Sequence, residues 1–241
     1  MADQHESDSR ELGLELGLLA LRSCAGTDEL HYGLWDEDLP VRISNIAEAQ
    51  RRYTEYVLAR IPPTAQRVLD VGCGAGVMAE KLLERGHEVE CVSPSRVLAE
   101  RTRERVGDRA RLHCCRLEDL EPTADFDLVL FSESFQYIPM PTALAQARRL
   151  LHPAGQILIC DFFRTEATGR EPMGGGHRYR ELHPALTAAG LRVEQEEDLT
   201  PRIAPTLELY EQLRRELIGP GAEIIERYAR RRHPWSSRLV A

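Results

Sequence analysis

The run Val68-Leu-Asp-Val-Gly-Cys-Gly-Ala-Gly76 holds the residues best suited to chemistry in this 241-residue chain. A short apolar stretch leads into glycines at 72, 74 and 76, and Met78–Arg85 then has helical spacing. Glycine lets a backbone turn sharply and lets a ligand approach the main chain. A helix starting there presents free N–H groups and the positive end of its dipole. Such a bend suits a nucleotide-type cofactor; the plainer alternative is a strand-to-helix turn with incidental glycines. Further reactive or aromatic groups fall in His31-Tyr-Gly-Leu-Trp-Asp36, in Ser132-Glu-Ser-Phe-Gln-Tyr-Ile138 and in the glycine-dense Pro172-Met-Gly-Gly-Gly-His177.

The elements that must position these groups follow a clear rhythm. Strand-like runs at Val68–Val71, Val89–Val92, Arg111–Cys115, Phe126–Phe131 and Gln156–Phe162 alternate with helical patterns at Met78–Arg85, Val97–Val106, Thr142–Leu151 and His183–Ala189. Leu191–Glu194 reads as the start of one more strand. Alternation of this kind indicates βαβ units and a mainly parallel sheet. The fold class expected is α/β, a Rossmann-like doubly wound sheet with helical caps at both ends. The leucine-rich stretch within residues 1–30 and the amphipathic Ile43–Arg60 make residues 1–60 an N-terminal helical cap. Residues 61–200 form the core and 201–241 a C-terminal helical cap, with Gly219-Pro-Gly221 splitting Pro205–Arg232 into two helices.

Composition narrows the partners. A net charge of −8 argues against a chain that wraps a phosphate backbone, so no nucleic acid is expected. The basic residues are arginines apart from Lys81, spread along the chain, which is a compositional bias and not a patch. No window is apolar enough to span a bilayer, and the acidic Met1–Arg10 does not resemble a secretory signal. The six cysteines show no C-x-x-C and no zinc-ligand spacing, so no metal is implied and a reducing cytoplasm is expected.

Spacing discriminates between cofactors. A dinucleotide loop wants G-x-G-x-x-G, whereas here the third glycine comes one residue early and Asp70 precedes the first by two. D-x-G-x-G-x-G after a strand resembles motif I of the class I S-adenosylmethionine-dependent methyltransferases. Phe126-Asp-Leu-Val-Leu-Phe-Ser132 is similar to that family's fourth strand. Leu150-Leu-His-Pro-Ala-Gly-Gln-Ile-Leu-Ile159 is similar to its turn into the fifth, with Ala154 in place of a glycine. The resemblance spans roughly residues 30–200. It implies S-adenosylmethionine as cofactor, S-adenosylhomocysteine as product, and a small-molecule or lipid-like acceptor methylated by in-line displacement. Two alternatives stay open: a catalytically silent cofactor-binding subunit and, less favoured by the spacing, a nicotinamide oxidoreductase.

By that resemblance, Asp70 organises the loop near the methionine ammonium, and Gly72, Cys73, Gly74 and Gly76 line the methionine and ribose through their backbones. Ser93 stands where the family usually has an acid for the ribose hydroxyls, as in the branch with tocopherol, sterol and cyclopropane-forming enzymes. Arg116 stands where an acid usually meets adenine, which leaves Leu117 and Glu118 for that role. Tyr32 falls near the sulfonium, where an aromatic face is favourable. Ser132 lies at the cofactor end of the fourth strand. His31, Trp35, Gln136 and Tyr137 are the candidate acceptor-binding residues, and Glu133 and His177 the candidate bases. The family often adds a final antiparallel strand; 230–241 does not supply one, so either the chain is truncated or the sheet has six strands.

Overall fold

Residues 15–121, 125–165 and 176–232 are described by the structure, a computed structural model. The apolar runs form five strands: β1 Arg67–Val71, β2 Glu88–Val92, β3 Arg111–His113, β4 Phe126–Ser132 and β5 Leu151–Cys160. They pair in the order β3-β2-β1-β4-β5, and every pairing is parallel. Helices α1 (15–25) and α2 (Ile46–Leu58) precede the sheet. Within it, α3 (Val77–Glu84), α4 (Arg96–Val106) and α5 (Met140–Leu150) make the crossovers. A small parallel pair, β6 Phe163–Arg164 and β7 His177–Arg178, leads to α6 (Tyr179–Ala188). The chain then forms α7 (Thr200–Leu213) and α8 (Gly219–Arg232).

Side chains alternate across each strand, so a sheet covered on both faces needs apolar residues at successive positions. Val68, Val89, Cys91, Leu128 and Leu130 enter the layer under α2 and α3, joined by Tyr53, Val57 and Leu82. Leu69, Val71, Val92, Val129 and Phe131 enter the opposite layer against Ala143, Leu144, Ala147 and Leu150 of α5. Burying a side chain of Leu or Phe size contributes about 1.5–3 kcal/mol. The doubly wound architecture is the one expected.

Three local readings are corrected. Leu191–Glu194 is loop, not strand: its alternation is right, but it pairs with no strand, and the main sheet among the described residues has five. The break in the C-terminal helices is a π-turn at Arg214–Ile218, while Gly219 and Pro220 open α8. The helical run is thus continuous through this point, with Gly219 N–H donating to the Arg214 carbonyl. Strand β5 starts at Leu151, before the expected Gln156, because Leu151 already pairs with Phe126; regular pairing resumes at Gln156, opposite Leu128. Gly155 sits in that irregularity, where a Cβ would lie 2.7 Å from the Phe126 carbonyl oxygen.

The stretch from Thr27 to Asp36 has no regular structure, yet neighbouring helices satisfy its backbone. Leu34 N–H donates to Ala49 at 2.8 Å and Trp35 N–H to Arg202 at 2.8 Å. Gln50 Nε2 donates to the carbonyls of Glu29 and His31. The Thr206 hydroxyl accepts from Gly33 N–H at 3.1 Å and from Trp35 Nε1 at 2.7 Å, and donates to the Gly33 carbonyl at 3.2 Å. That uses its full hydrogen-bonding capacity. Thr206→Val keeps the shape and leaves the two donors unpaired, which costs about 2–4 kcal/mol. A lowered midpoint in urea unfolding is expected; an unchanged midpoint contradicts this role.

Candidate active site

In an open parallel sheet, ligands bind beyond the carboxyl ends of the strands where the connection order reverses. Here that point lies between β1 and β4. The bend after β1 carries three left-handed glycines: Gly72 at φ 75°, Gly74 at 56° and Gly76 at 81°. Their surroundings differ. A Cβ on Gly72 would lie 2.5 Å from Ser134 Cβ, and one on Gly76 would lie 3.0 Å from Thr102 Cα. Nothing stands within 4 Å of a Cβ built on Gly74. Two glycines therefore let protein parts meet, and the third leaves an open face. Gly72 N–H donates to Val92 at 2.8 Å and Gly76 N–H to Cys73 at 2.9 Å, which fixes the turn. The Cys73 thiol lies inside, 3.5 Å from Thr102 Oγ1, so Cys73 offers a ligand only its main chain.

Asp70 ends up 1 % exposed on β1. Its Oδ2 has no hydrogen-bond partner among the described residues. Burial pushes its carboxyl up to about 7. An orphaned buried carboxylate oxygen beside an open glycine bend fits a ligand that brings a cation or a donor, as the ammonium of S-adenosylmethionine does. Ser93 is buried at the end of β2, its N–H on the His113 carbonyl at 3.0 Å. Leu117 turns its side chain into the layer under α5, and Glu118 is exposed beside it in the short 3-10 turn Leu117–Asp119.

A second group of residues gathers past β4 and β5. Glu133 adopts φ 56°, a left-handed conformation that strains a side-chain-bearing residue and is concentrated at functional sites. Its N–H donates to the Cys160 carbonyl at 2.8 Å, and its Oε1 accepts from Tyr32 N–H at 3.0 Å. Burial, with Asp161 adding repulsion against the attraction of His31, pushes Glu133 up to about 8. Asp161 accepts from Phe162 N–H at 2.7 Å and Gln136 N–H at 3.0 Å, and burial still raises it to about 6. Ser132 Oγ donates to the Tyr53 hydroxyl at 3.4 Å, which donates to the Cys160 carbonyl at 3.3 Å. The Tyr32 ring packs edge-on against Phe162, centroids 4.6 Å apart, and 6.1 Å from that of Tyr210.

Sequence-expected residues separate into different environments. His31 and Tyr32 join Glu133, and Gln136 is held nearby through its backbone. Tyr137 is 61 % exposed on the following turn. Trp35 is buried with Ile46, Ala49 and Leu209, its indole N–H on Thr206, which makes it a packing residue of the cap. His177 Nε2 faces the carbonyls of Phe135 at 3.1 Å and Ile138 at 2.9 Å. Two acceptors require that this nitrogen carry a hydrogen, so the geometry ties His177 to the turn after β4 and not to a proton-accepting task through Nε2. Sequence reasoning missed Glu29, Tyr53, Thr54, Asp161 and Tyr210. Only Asp161 had a local signal, its place immediately after a strand.

Two consequences are testable. Gly74→Arg should fold, by circular dichroism, and lose S-adenosylmethionine binding in calorimetry, whereas Gly72→Ala should be destabilised by about 2 kcal/mol or more; retained affinity in a folded Gly74→Arg protein contradicts the placement of the loop. The second concerns Asp70. Between about pH 4 and pH 7 the folded chain keeps a proton there that the unfolded chain releases, so stability falls as pH rises through that window. Asp70→Asn should raise the melting temperature at pH 8, hardly change it at pH 4, and weaken cofactor binding more than tenfold. Equal melting temperatures for both proteins at pH 8 contradict the orphaned-carboxylate reading.

Comparison with known proteins agrees with this geometry. Residues 68–155, from β1 to the bulge in β5, match the family model described as "Methyltransferase domain". The ubiquinone biosynthesis O-methyltransferase of Xanthomonas axonopodis pv. citri (strain 306) is 33 % identical over 176 residues, covering 66 % of this chain and 73 % of the relative. The Xylella fastidiosa (strain 9a5c) protein of the same name is 30 % identical over 178 residues, covering 66 % and 72 %. Among solved structures, geranyl diphosphate C-methyltransferase from Streptomyces coelicolor A3(2), bound to Mg2+, geranyl diphosphate and S-adenosyl-L-homocysteine, superposes with a TM-score of 0.68. It is 20 % identical, with 79 % of this chain and 81 % of that one covered. The [4+2]-cyclase SpnF superposes at 0.69, 22 % identical, covering 85 % and 82 %. At those identities the structures speak for the fold alone. The family model and the relatives at 30 % and 33 % identity speak for the enzyme, and the chain belongs to the class I S-adenosylmethionine-dependent methyltransferases.

Proposed function

We propose that this chain methylates a hydroxyl on a small or lipid-like acceptor, with Glu133 as the group that takes the acceptor's proton. The observation carrying this reading is Glu133 itself: a carboxylate held in strained backbone at the end of β4, beside Tyr32, with its proton affinity raised towards neutrality. A base poised near the working pH is the most effective kind. The aromatic wall of Tyr32, Phe162 and Tyr210 favours a partly apolar acceptor. Gln136 and Tyr137 on the adjoining turn contact its polar edge. The relatives' O-methyltransferase names support oxygen as the accepting atom.

When bound, S-adenosylmethionine supplies an activated methyl group open to in-line displacement. This chain's part is positioning. Asp70 and the backbone of 72–76 hold the amino-acid end, Ser93 orients the ribose, and Leu117 with Glu118 borders the adenine. Tyr32 and Ser132 stand on the acceptor side. Orientation of this kind supplies much of the rate in a displacement reaction. Residues 61–200 serve as the cofactor core, with 1–60 and 201–241 as caps. No described helix is long and apolar enough to cross a membrane. All six cysteines are free, which suits a cytoplasmic enzyme with small-molecule partners.

Transfer of a tritiated methyl group from S-adenosylmethionine into the organic extract of cells tests the activity and reveals the acceptor. Turnover should rise with pH through about 8 as Glu133 ionises, then level off. Glu133→Gln should lower kcat by about 10²–10⁴ with little change in cofactor affinity. Unchanged kcat in that variant contradicts the role of base, and no label transfer to any acceptor favours a cofactor-binding subunit without its own activity.

A further inference from the structure

A buried polar chain runs behind Tyr32. Thr54, on the inner face of α2, donates its hydroxyl hydrogen to Glu29 Oε1. Thr54 Oγ1 lies 3.0 Å from His31 Nε2, and Glu29 Oε1 lies 3.5 Å from that nitrogen. The other ring nitrogen, Nδ1, lies 2.8 Å from the Tyr32 carbonyl oxygen. A carbonyl only accepts, so Nδ1 carries a hydrogen. With Glu29 ionised, Thr54 spends its hydrogen on that carboxylate, and Nε2 then donates to Thr54 Oγ1. Both ring nitrogens are then protonated and His31 is an imidazolium. Its ring stacks on Tyr53, centroids 4.3 Å apart.

We propose that Glu29 is a positioning residue: through Thr54 it holds His31 as an imidazolium that anchors the Tyr32 backbone and sets the electrostatic field at Glu133. Tyr32 is thereby gripped at both ends, its N–H on Glu133 and its carbonyl on His31. The groups facing this chain are consistent with it. Burial opposes charge on both Glu29 and His31, but each is held in its charged form by the other, with Thr54 and distant Lys81 assisting Glu29 and Glu133 assisting His31. Glu133 feels both the imidazolium and Asp161; the first lowers its proton affinity and the second raises it. Tyr53 and Tyr210 stand nearby as neutral phenols, their ionisation pushed up by burial. Opposed influences of this kind leave Glu133 able to change protonation in the neutral range.

This inference rests on the proposed role of Glu133, but its first test does not. In full-length protein with isotope-labelled histidine, the His31 ring, assigned by comparison with His31→Gln, should remain doubly protonated at pH 7.5. In Glu29→Gln it should be neutral at that pH, and Thr54→Val should lower its titration midpoint by about one pH unit. A neutral His31 in the unaltered protein at pH 7.5 overturns the proposal, because the proton then resides on Glu29. An unchanged His31 titration in both variants overturns it equally. The kinetic arm reads the consequence: losing the imidazolium should move the rising limb of the pH–rate profile upward by about one pH unit in Glu29→Gln, with kcat recovering to within about threefold at high pH. A merely structural role would lower kcat at every pH and leave the limb in place, and that result contradicts the proposal. If Glu133→Gln proves fully active, the nuclear resonance arm still decides the state of His31.

Discussion

One oxygen organises the site. Asp70 Oδ2 is buried at the end of the central strand with no partner from the described protein. An unpaired buried carboxylate costs free energy, and the fold accepts that cost where β1 hands over to the glycine bend. The bend beside it is open on one side. Gly72 and Gly76 bring Ser134 and Thr102 against the loop, and Gly74 keeps its outer face clear. The parallel sheet makes this possible because the chain leaves β1 and β4 at the same edge and in opposite crossover directions.

The acceptor side depends on a different device. A stretch without helix or strand, Thr27–Asp36, lies over the ends of β4 and β5 and is held in place by side chains of α2 and α7. Gln50, Thr54 and Thr206 do most of this. Arg105 of α4 adds a link between the cap and the bend, donating to the Ala75 carbonyl at 3.0 Å and to Glu80 at 2.9 Å while also pairing with Asp28. The cap and the glycine bend are thus tied to one another, and Tyr32 and Glu133 face each other with little freedom.

The sheet and the glycine bend after β1 were legible in the sequence because their signals are local. Positive-φ glycines, a short apolar run and a hydroxyl after β2 declare themselves within a few residues. The failures have equally local causes. Leu191–Glu194 has the alternation of a strand, but alternation cannot say whether a neighbouring strand is within reach. The helical pattern reads from Pro205, yet α7 starts at Thr200 and carries Pro205 inside it. His177 was singled out by residue type, and only its two carbonyl partners show what its Nε2 does. Trp35 lay in the right segment with its ring turned to packing. Glu29 is a charged residue in an ordinary-looking stretch; its importance comes from Thr54, 25 residues away, and no spacing rule reaches that far.

The likeness to a cyclase as well as to a methyltransferase is a reminder that this fold hosts more than one chemistry, and that the residues lining the crevice decide which. For this chain the decisive claim is that the bend at 72–76 and the buried Asp70 hold the cofactor. A crystal structure with S-adenosylhomocysteine tests it most directly. The account predicts the ligand's amino-acid end against the open face of Gly74, with its nitrogen completing the hydrogen bonding of Asp70 Oδ2. Density for the ligand elsewhere, with that oxygen still unpartnered, would contradict it.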